Sequence, residues 1–189
     1  MTEAELLADC LKRLNSLGLP YMLTGSMASN YWGMPRTTHD VDFVLAFQPS
    51  QASAIVAAFQ PDYALEEPAI REALDPPFLF NAIDLRSALK VDFWALRPDA
   101  FAQEVFSRRL RIELLGETAW IGTAEDTLLN KLVWNRISPS DRQVGDAAGI
   151  VAVQGEGLDR PYLERWGRIL GVESTLGDLL EGRIRPKNT

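Results

Sequence analysis

The chain is short of the side chains that most often carry catalysis alone. Its 189 residues include one cysteine, Cys10, and one histidine, His39. A lone cysteine excludes an internal disulfide and a cysteine-rich zinc site, and it fits a cytoplasmic setting. A lone histidine argues against histidine-based catalysis and a histidine-rich metal centre. No run of eighteen apolar residues occurs, and no basic segment leads into an apolar one, so neither a membrane span nor a signal peptide is expected. Basic residues are also in deficit, 19 Lys and Arg against 26 Asp and Glu, for a net charge of −7. Nucleic-acid affinity draws on clustered Lys and Arg. Broad nucleic-acid binding is therefore disfavoured, while a local basic groove, or an RNA end held by a few residues, stays open. What the chain does have is 47% apolar residues, enough for a substantial core in one domain or one and a small appendage.

The most informative stretch is Tyr21–Leu45, in which Gly25-Ser26 is followed after thirteen residues by Asp40-Val41-Asp42. Tyr21, Met22 and Leu23 predict a short buried strand ending at Thr24. Gly25 breaks it, and Ser26 is placed to cap a helix running to Gly33. Such a helix start offers unpaired N–H groups and partial positive charge to a phosphate. Asp40–Phe47 predicts a second strand, with Asp40 and Asp42 on one face and Val41, Phe43, Leu45 and Phe47 on the other. Val44 and Ala46 make the first face apolar beyond the acids, as in a central strand covered on both sides. Two neighbouring carboxylates repel, and a divalent cation between them relieves the repulsion. Carboxylates plus substrate phosphates are the usual ligands of Mg²⁺. His39-Asp40 is a superficial HD pair, but no second histidine exists to complete a phosphohydrolase site.

Around this stretch, apolar spacing predicts an amphipathic helix over residues 4–17, with Cys10 on its core face. A helix is expected over 51–59, a short strand at 63–65 and a helix over 67–74. Residues 78–85 and 89–96 read as a hairpin. In its second strand Asp92 shares a face with Lys90, Trp94 and Leu96. An aspartate between Val91 and Phe93 suits a site; a strand-end Asp bonded to a turn is the alternative. Asp84 is expected to bond locally with Ser87. A helix over 100–107 and strands at 109–114 and 119–121 follow. From Thr123 onward the pattern is helical, over roughly 123–137, 142–153, 161–170 and 172–180, with a frayed tail at 183–189. Lys131 lies beside an apolar stripe. Asp146 shares a face with Arg142, so an i,i+4 surface pair is one reading of it.

Gly25-Ser26 … Asp40-x-Asp42 resembles the first motif of the DNA polymerase β-type nucleotidyltransferase superfamily. Arg36-x-Thr38-x-Asp40 and the segment 123–153 resemble the AbiEii-type toxins of toxin–antitoxin systems and their relatives. The resemblance implies an α+β fold: a nucleotidyltransferase palm with a mixed β-sheet and flanking helices over 1–119, then a helical unit over 120–189. It implies Mg²⁺ on Asp40, Asp42 and Asp92, and nucleotide contacts from Gly25, Ser26, Arg36, Thr38 and Lys131. It gives Lys131 and Asp146 places beside the catalytic acids. The implied reaction moves an NMP from an NTP to a hydroxyl on an RNA end such as that of tRNA, on a protein such as an antitoxin, or on a small molecule. A non-catalytic nucleotide-binding or interaction module on the same fold is the alternative; oligomeric state is open.

Overall fold

Helices α1, α5, α6, α7 and α8, whose ranges follow, begin where Thr2, Asp99, Thr123, Ser140 and Asp159 supply a side-chain cap. In the computed structural model, which describes residues 2–186, helix α1 (Glu3–Leu17) opens on a capping box between Thr2 and Glu5. It closes at Gly18, whose φ of +70° favours glycine. Its buried face is Leu6, Leu7, Cys10, Leu11 and Leu14, as the spacing predicts. Strand β1 (Tyr21–Thr24), helix α2 (Gly25–Trp32) and strand β2 (Val41–Leu45) follow. After a 3₁₀ turn at Pro49–Gln51 come α3 (Ala52–Phe59), β3 (Tyr63–Ala64), α4 (Glu67–Glu72), β4 (Leu79–Asp84) and β5 (Lys90–Ala95). Then come α5 (Ala100–Ser107), β6 (Leu110–Leu114) and β7 (Glu117–Ile121). The helices α6 (Ala124–Ile137), α7 (Asp141–Gln154), α8 (Arg160–Ile169) and α9 (Glu173–Leu180) complete the chain. Residues 187–189 of the expected frayed tail lie outside the described residues. No helix among those described is long and apolar enough to cross a membrane.

Two compact units emerge. The first takes residues up to Thr24 together with His39–Gly122. It holds a seven-stranded sheet in the order β3-β4-β5-β2-β1-β7-β6. The pairs β2·β5 and β1·β7 are parallel and the other four antiparallel, so the sheet is mixed, with helices packed on it. This is the expected α+β architecture. Its core face carries Phe43, Phe80 and Phe93, with Phe93 stacked on both others and met edge-on by Phe59 of α3. Period two puts Val41, Phe43 and Leu45 of β2, and Val91, Phe93 and Ala95 of β5, into that core. Asp84, fully buried, accepts from Ser87 Oγ at 2.6 Å and Arg86 Nε at 2.6 Å, the local bonding expected of it.

The second unit takes Gly25–Thr38 together with residues from Thr123 onward. Thr123 caps α6, and the buried Asp126 accepts from both Thr123 and Tyr162. Leu128, Leu129, Leu132, Ala147, Ile150, Leu163 and Leu176 supply the apolar core. Gly33, just past α2, lies so close to α7 that a Cβ there would stand 2.7 Å from the Ile150 nitrogen. Gly149 of α7 is pressed against Met34 in the same way, its Cβ position 3.1 Å from the Met34 nitrogen.

Candidate functional site

In the first unit, side chains at equivalent levels of neighbouring strands emerge on one face. Thr24 pairs with Asp42, Asp42 with Asp92, and Asp92 with Asn81. A polar row therefore crosses β1, β2, β5 and β4 on the face opposite the phenylalanine core. Asp42 and Asp92 are half-buried. Asp42 accepts from Trp94 Nε1 at 3.3 Å. Asp92 accepts from Lys90 Nζ at 2.9 Å and from the Asn81 amide. Asp40, expected as the first residue of its strand, is exposed and stands one residue before β2 begins.

Among the described residues, no three Asp, Glu, His or Cys side chains are grouped to hold a metal ion. The fit to Mg²⁺ therefore rests on the Asp42–Asp92 pair. Adjacent strands lie about 4.8 Å apart, so two in-register carboxylates can reach one ion, and substrate phosphates and water fill the other positions. Lys90 and Trp94 offset the charge of the pair meanwhile.

The second unit brings together residues far apart in sequence. Asp146 of α7, 8% exposed, accepts from Arg36 Nε at 2.7 Å and Arg36 Nη2 at 2.9 Å. Lys131 Nζ of α6, 6% exposed, donates to the same carboxylate at 2.8 Å, and Ser29 Oγ approaches it at 3.3 Å. Arg36 Nη2 also donates to Ser26 Oγ at 3.0 Å. Asn30 holds the Arg36 backbone by its carbonyl and its N–H, at 2.7 and 3.1 Å. Burial pushes the Asp146 pKa up, but bonds from Arg36 and Lys131 outweigh it and hold the carboxyl below its ordinary range. Arg36 and Lys131 thus bring two cations near the first turn of α2, a setting suited to an anion.

Two readings of these residues change. Ser26 does not cap α2. Gly25 already opens the helix with φ of +64°, and the Ser26 hydroxyl serves Arg36 instead. Asp146 bonds to Arg36 and Lys131, partners that no single-helix spacing shows. Asn81, Ser29 and Asn30 escaped the sequence reading, which set Trp94 on the face of Asp92 without giving it a role. Thr38 is half-buried in the irregular segment before β2.

No protein-family model and no curated protein matches the chain. Solved structures do. The antibiotic-resistance factor ANT(2″)-Ia in complex with adenylyl-2″-tobramycin matches with a TM-score of 0.56 and 12% identity, over 97% of this chain and 100% of that one. The solution structure of the same factor gives 0.56 and 12%, over 88% and 94%. An antigenic nucleotidyltransferase-like protein from Paracoccidioides brasiliensis gives 0.57 and 13%, over 97% and 94%. The chain has a nucleotidyltransferase fold. At such identity the likeness concerns the fold, and activity is argued from the residues.

Proposed function

We propose that the chain is a Mg²⁺-dependent nucleotidyltransferase, moving an NMP from an NTP to a hydroxyl acceptor in the cytoplasm. The observation that carries this reading is the register of Asp42 with Asp92 on parallel strands of a nucleotidyltransferase fold. Asp42 and Asp92, with Asp40 leading into β2, are the residues that would hold the ion. Bound there, Mg²⁺ neutralises charge on the triphosphate. The acceptor oxygen bonds to the α-phosphorus as pyrophosphate leaves, and its proton passes to the Asp92 carboxylate. Gly25, Ser26, Arg36, Thr38 and Lys131 are assigned to the nucleotide, with the two cations and the Ser26 hydroxyl on phosphate oxygens. Asp146 holds the Arg36 and Lys131 side chains in place, so its part is positioning.

Among acceptors, a small polyhydroxyl molecule gains support from the adenylyl-2″-tobramycin bound by a protein of the same fold. The AbiEii-like Arg36-x-Thr38-x-Asp40 pattern keeps an RNA end, or an antitoxin protein, as further arms of the test. The Lys90–Asp92 ion pair, 2.9 Å long, favours a second reading, a nucleotide-binding module without catalysis in which Lys90 stands where a metal would.

Incubation with each of the four α-labelled NTPs and Mg²⁺ tests both. Aminocyclitols, total RNA and protein extract serve as acceptors, with label transfer and pyrophosphate release as readouts. Transfer that vanishes in Asp42→Asn supports the enzyme. Nucleotide binding without pyrophosphate release from any arm supports the module and overturns the enzyme.

A further inference from the structure

Strand β6 ends the sheet, and among the described residues no strand pairs with its outer edge. β7 pairs with it on one side only, in the register Leu110↔Ile121, Arg111↔Trp120, Ile112↔Ala119, Glu113↔Thr118 and Leu114↔Glu117. The turn between them is the two residues Leu115 and Gly116, with φ of +54° and +81°, as a type I′ hairpin requires. In such a hairpin Leu114 and Glu117 close the ladder as a hydrogen-bonded pair, and hydrogen-bonded pairs then recur at every second residue. Ile112 and Leu110 thus aim their amides and carbonyls at β7. Those of Arg111 and Glu113 point away from the sheet.

The side chains of this edge repeat the same symmetry. The strand reads Leu-Arg-Ile-Glu-Leu, apolar at both ends and centre, with opposite charges between. The Arg111 and Glu113 side chains are 62% and 70% exposed, and Leu110 is 43% exposed. Exposed strand edges commonly carry charge of one sign or a proline that repels a second strand. This edge carries one charge of each sign.

We propose that β6 pairs antiparallel with β6 of a second copy of this chain, about a twofold axis at Ile112. That register sets Arg111 opposite the other copy's Glu113, and the reverse, so both charge pairs are complementary. It also joins the outward backbone groups, which lie at these same two residues, in hydrogen-bonded pairs. On the other face Leu110, Ile112 and Leu114 meet the same three residues of the copy and lose their exposure. A two-residue slip would set arginine against arginine or glutamate against glutamate, and a one-residue slip would set outward backbone groups against ones already bonded to β7, so charge and backbone together fix the register. The interface is isologous and closed, so it stops at two copies. A five-residue edge buries little area, which makes this a micromolar dimer rather than an obligate one.

Sedimentation equilibrium from low micromolar to near-millimolar protein tests the dimer, with Arg111→Glu, Glu113→Arg and the double exchange R111E/E113R. Both sites are exposed, and equal melting temperatures show that the three variants fold. Each single reversal creates two like-charge pairs and is expected to weaken the dimer by about tenfold or more. The double exchange restores complementarity and returns the affinity toward the starting value. In hydrogen exchange, the Arg111 and Glu113 amides slow as concentration rises, while that of Ile112 is already protected. A monomer at every concentration overturns the proposal. So does a dimer indifferent to both single reversals, or a double exchange as weak as either single one.

Discussion

Arg36 grips both oxygens of the Asp146 carboxylate, at 2.7 and 2.9 Å, across 110 residues of sequence. Lys131 binds the same group from a third segment at 2.8 Å. Asp146 is thus held by two cations, and its loss removes a charged partner from each.

Asp146→Asn is expected to destabilise the protein by about 3 kcal/mol, because it takes the charged partner from the buried Lys131 and the half-buried Arg36. Equilibrium urea unfolding measures the loss. The pH dependence has a definite sign. The folded-state pKa lies below the unfolded value of about 3.9, so the stabilisation is complete above that value. It is lost as pH falls below about 4, through the lowered pKa. Other carboxylates titrate equally in both proteins, so the difference between the melting curves of wild type and D146N isolates this group. A difference that is constant down to pH 2, about two units below the ordinary carboxylate, would contradict the assignment.

The contact of the segment after α2 with α7 rests on missing side chains. A methyl at Gly33 would meet the Ile150 nitrogen at 2.7 Å, and one at Gly149 would meet the Met34 nitrogen at 3.1 Å. Both obstacles are backbone and cannot swing aside. Gly33→Ala should cost about 1–3 kcal/mol and Gly149→Ala less, since its contact is longer. Nucleotide affinity should fall with them, because Gly33 stands three residues before Arg36. Calorimetric melting and nucleotide titration follow the two effects. Unchanged stability in Gly33→Ala would show that α7 yields at this point.

Cys10 provides a test of the core. It is fully buried, its sulfur is 3.6 Å from the Tyr63 hydroxyl, and burial pushes its thiol pKa up to about 12. The thiolate is the reactive form, so a thiol reagent at neutral pH should leave the native protein untouched. One equivalent should react after unfolding in urea. Rapid reaction of the native protein would place α1 outside the packed core.

Much of this was legible from local pattern. The period-two stretch Asp40–Phe47 and the hairpin of 78–85 and 89–96 announced β2, β4 and β5, and alternation alone set Asp42 and Asp92 opposite the core. Caps and glycines marked α1, α6 and the turn at Gly25. The pairing of strands distant in sequence was not legible, because register is decided by packing rather than by either strand alone. Asn81 could not be linked to Asp92 without the register, nor Ser29 to Asp146 without the packing of α2 against α7. By spacing, Asp146 was visible with its helical neighbour Arg142, and only the family resemblance set it near the site with Lys131. Helical spacing reports neighbours on one helix and is blind to a partner such as Arg36 on another segment.

The proposed metal site predicts opposite responses with and without Mg²⁺. Asp42 and Asp92 are neighbouring carboxylates in register, and their repulsion is relieved when a divalent ion binds. Mg²⁺ with NTP should raise the melting temperature by mass action, because only the folded chain presents the pair. At a ligand concentration of about 100 Kd this amounts to about 2.7 kcal/mol. Asp42→Asn should abolish both this response and transfer. Without metal it should melt at the wild-type temperature or slightly above, since lost repulsion offsets the weakened bond from Trp94. A purely structural Asp42 behaves otherwise. Its Asn variant would melt earlier in every buffer and would still respond to Mg²⁺ and NTP. Differential scanning fluorimetry of the two proteins, with and without Mg²⁺ and NTP, separates these patterns, and the second would remove Asp42 from the metal site.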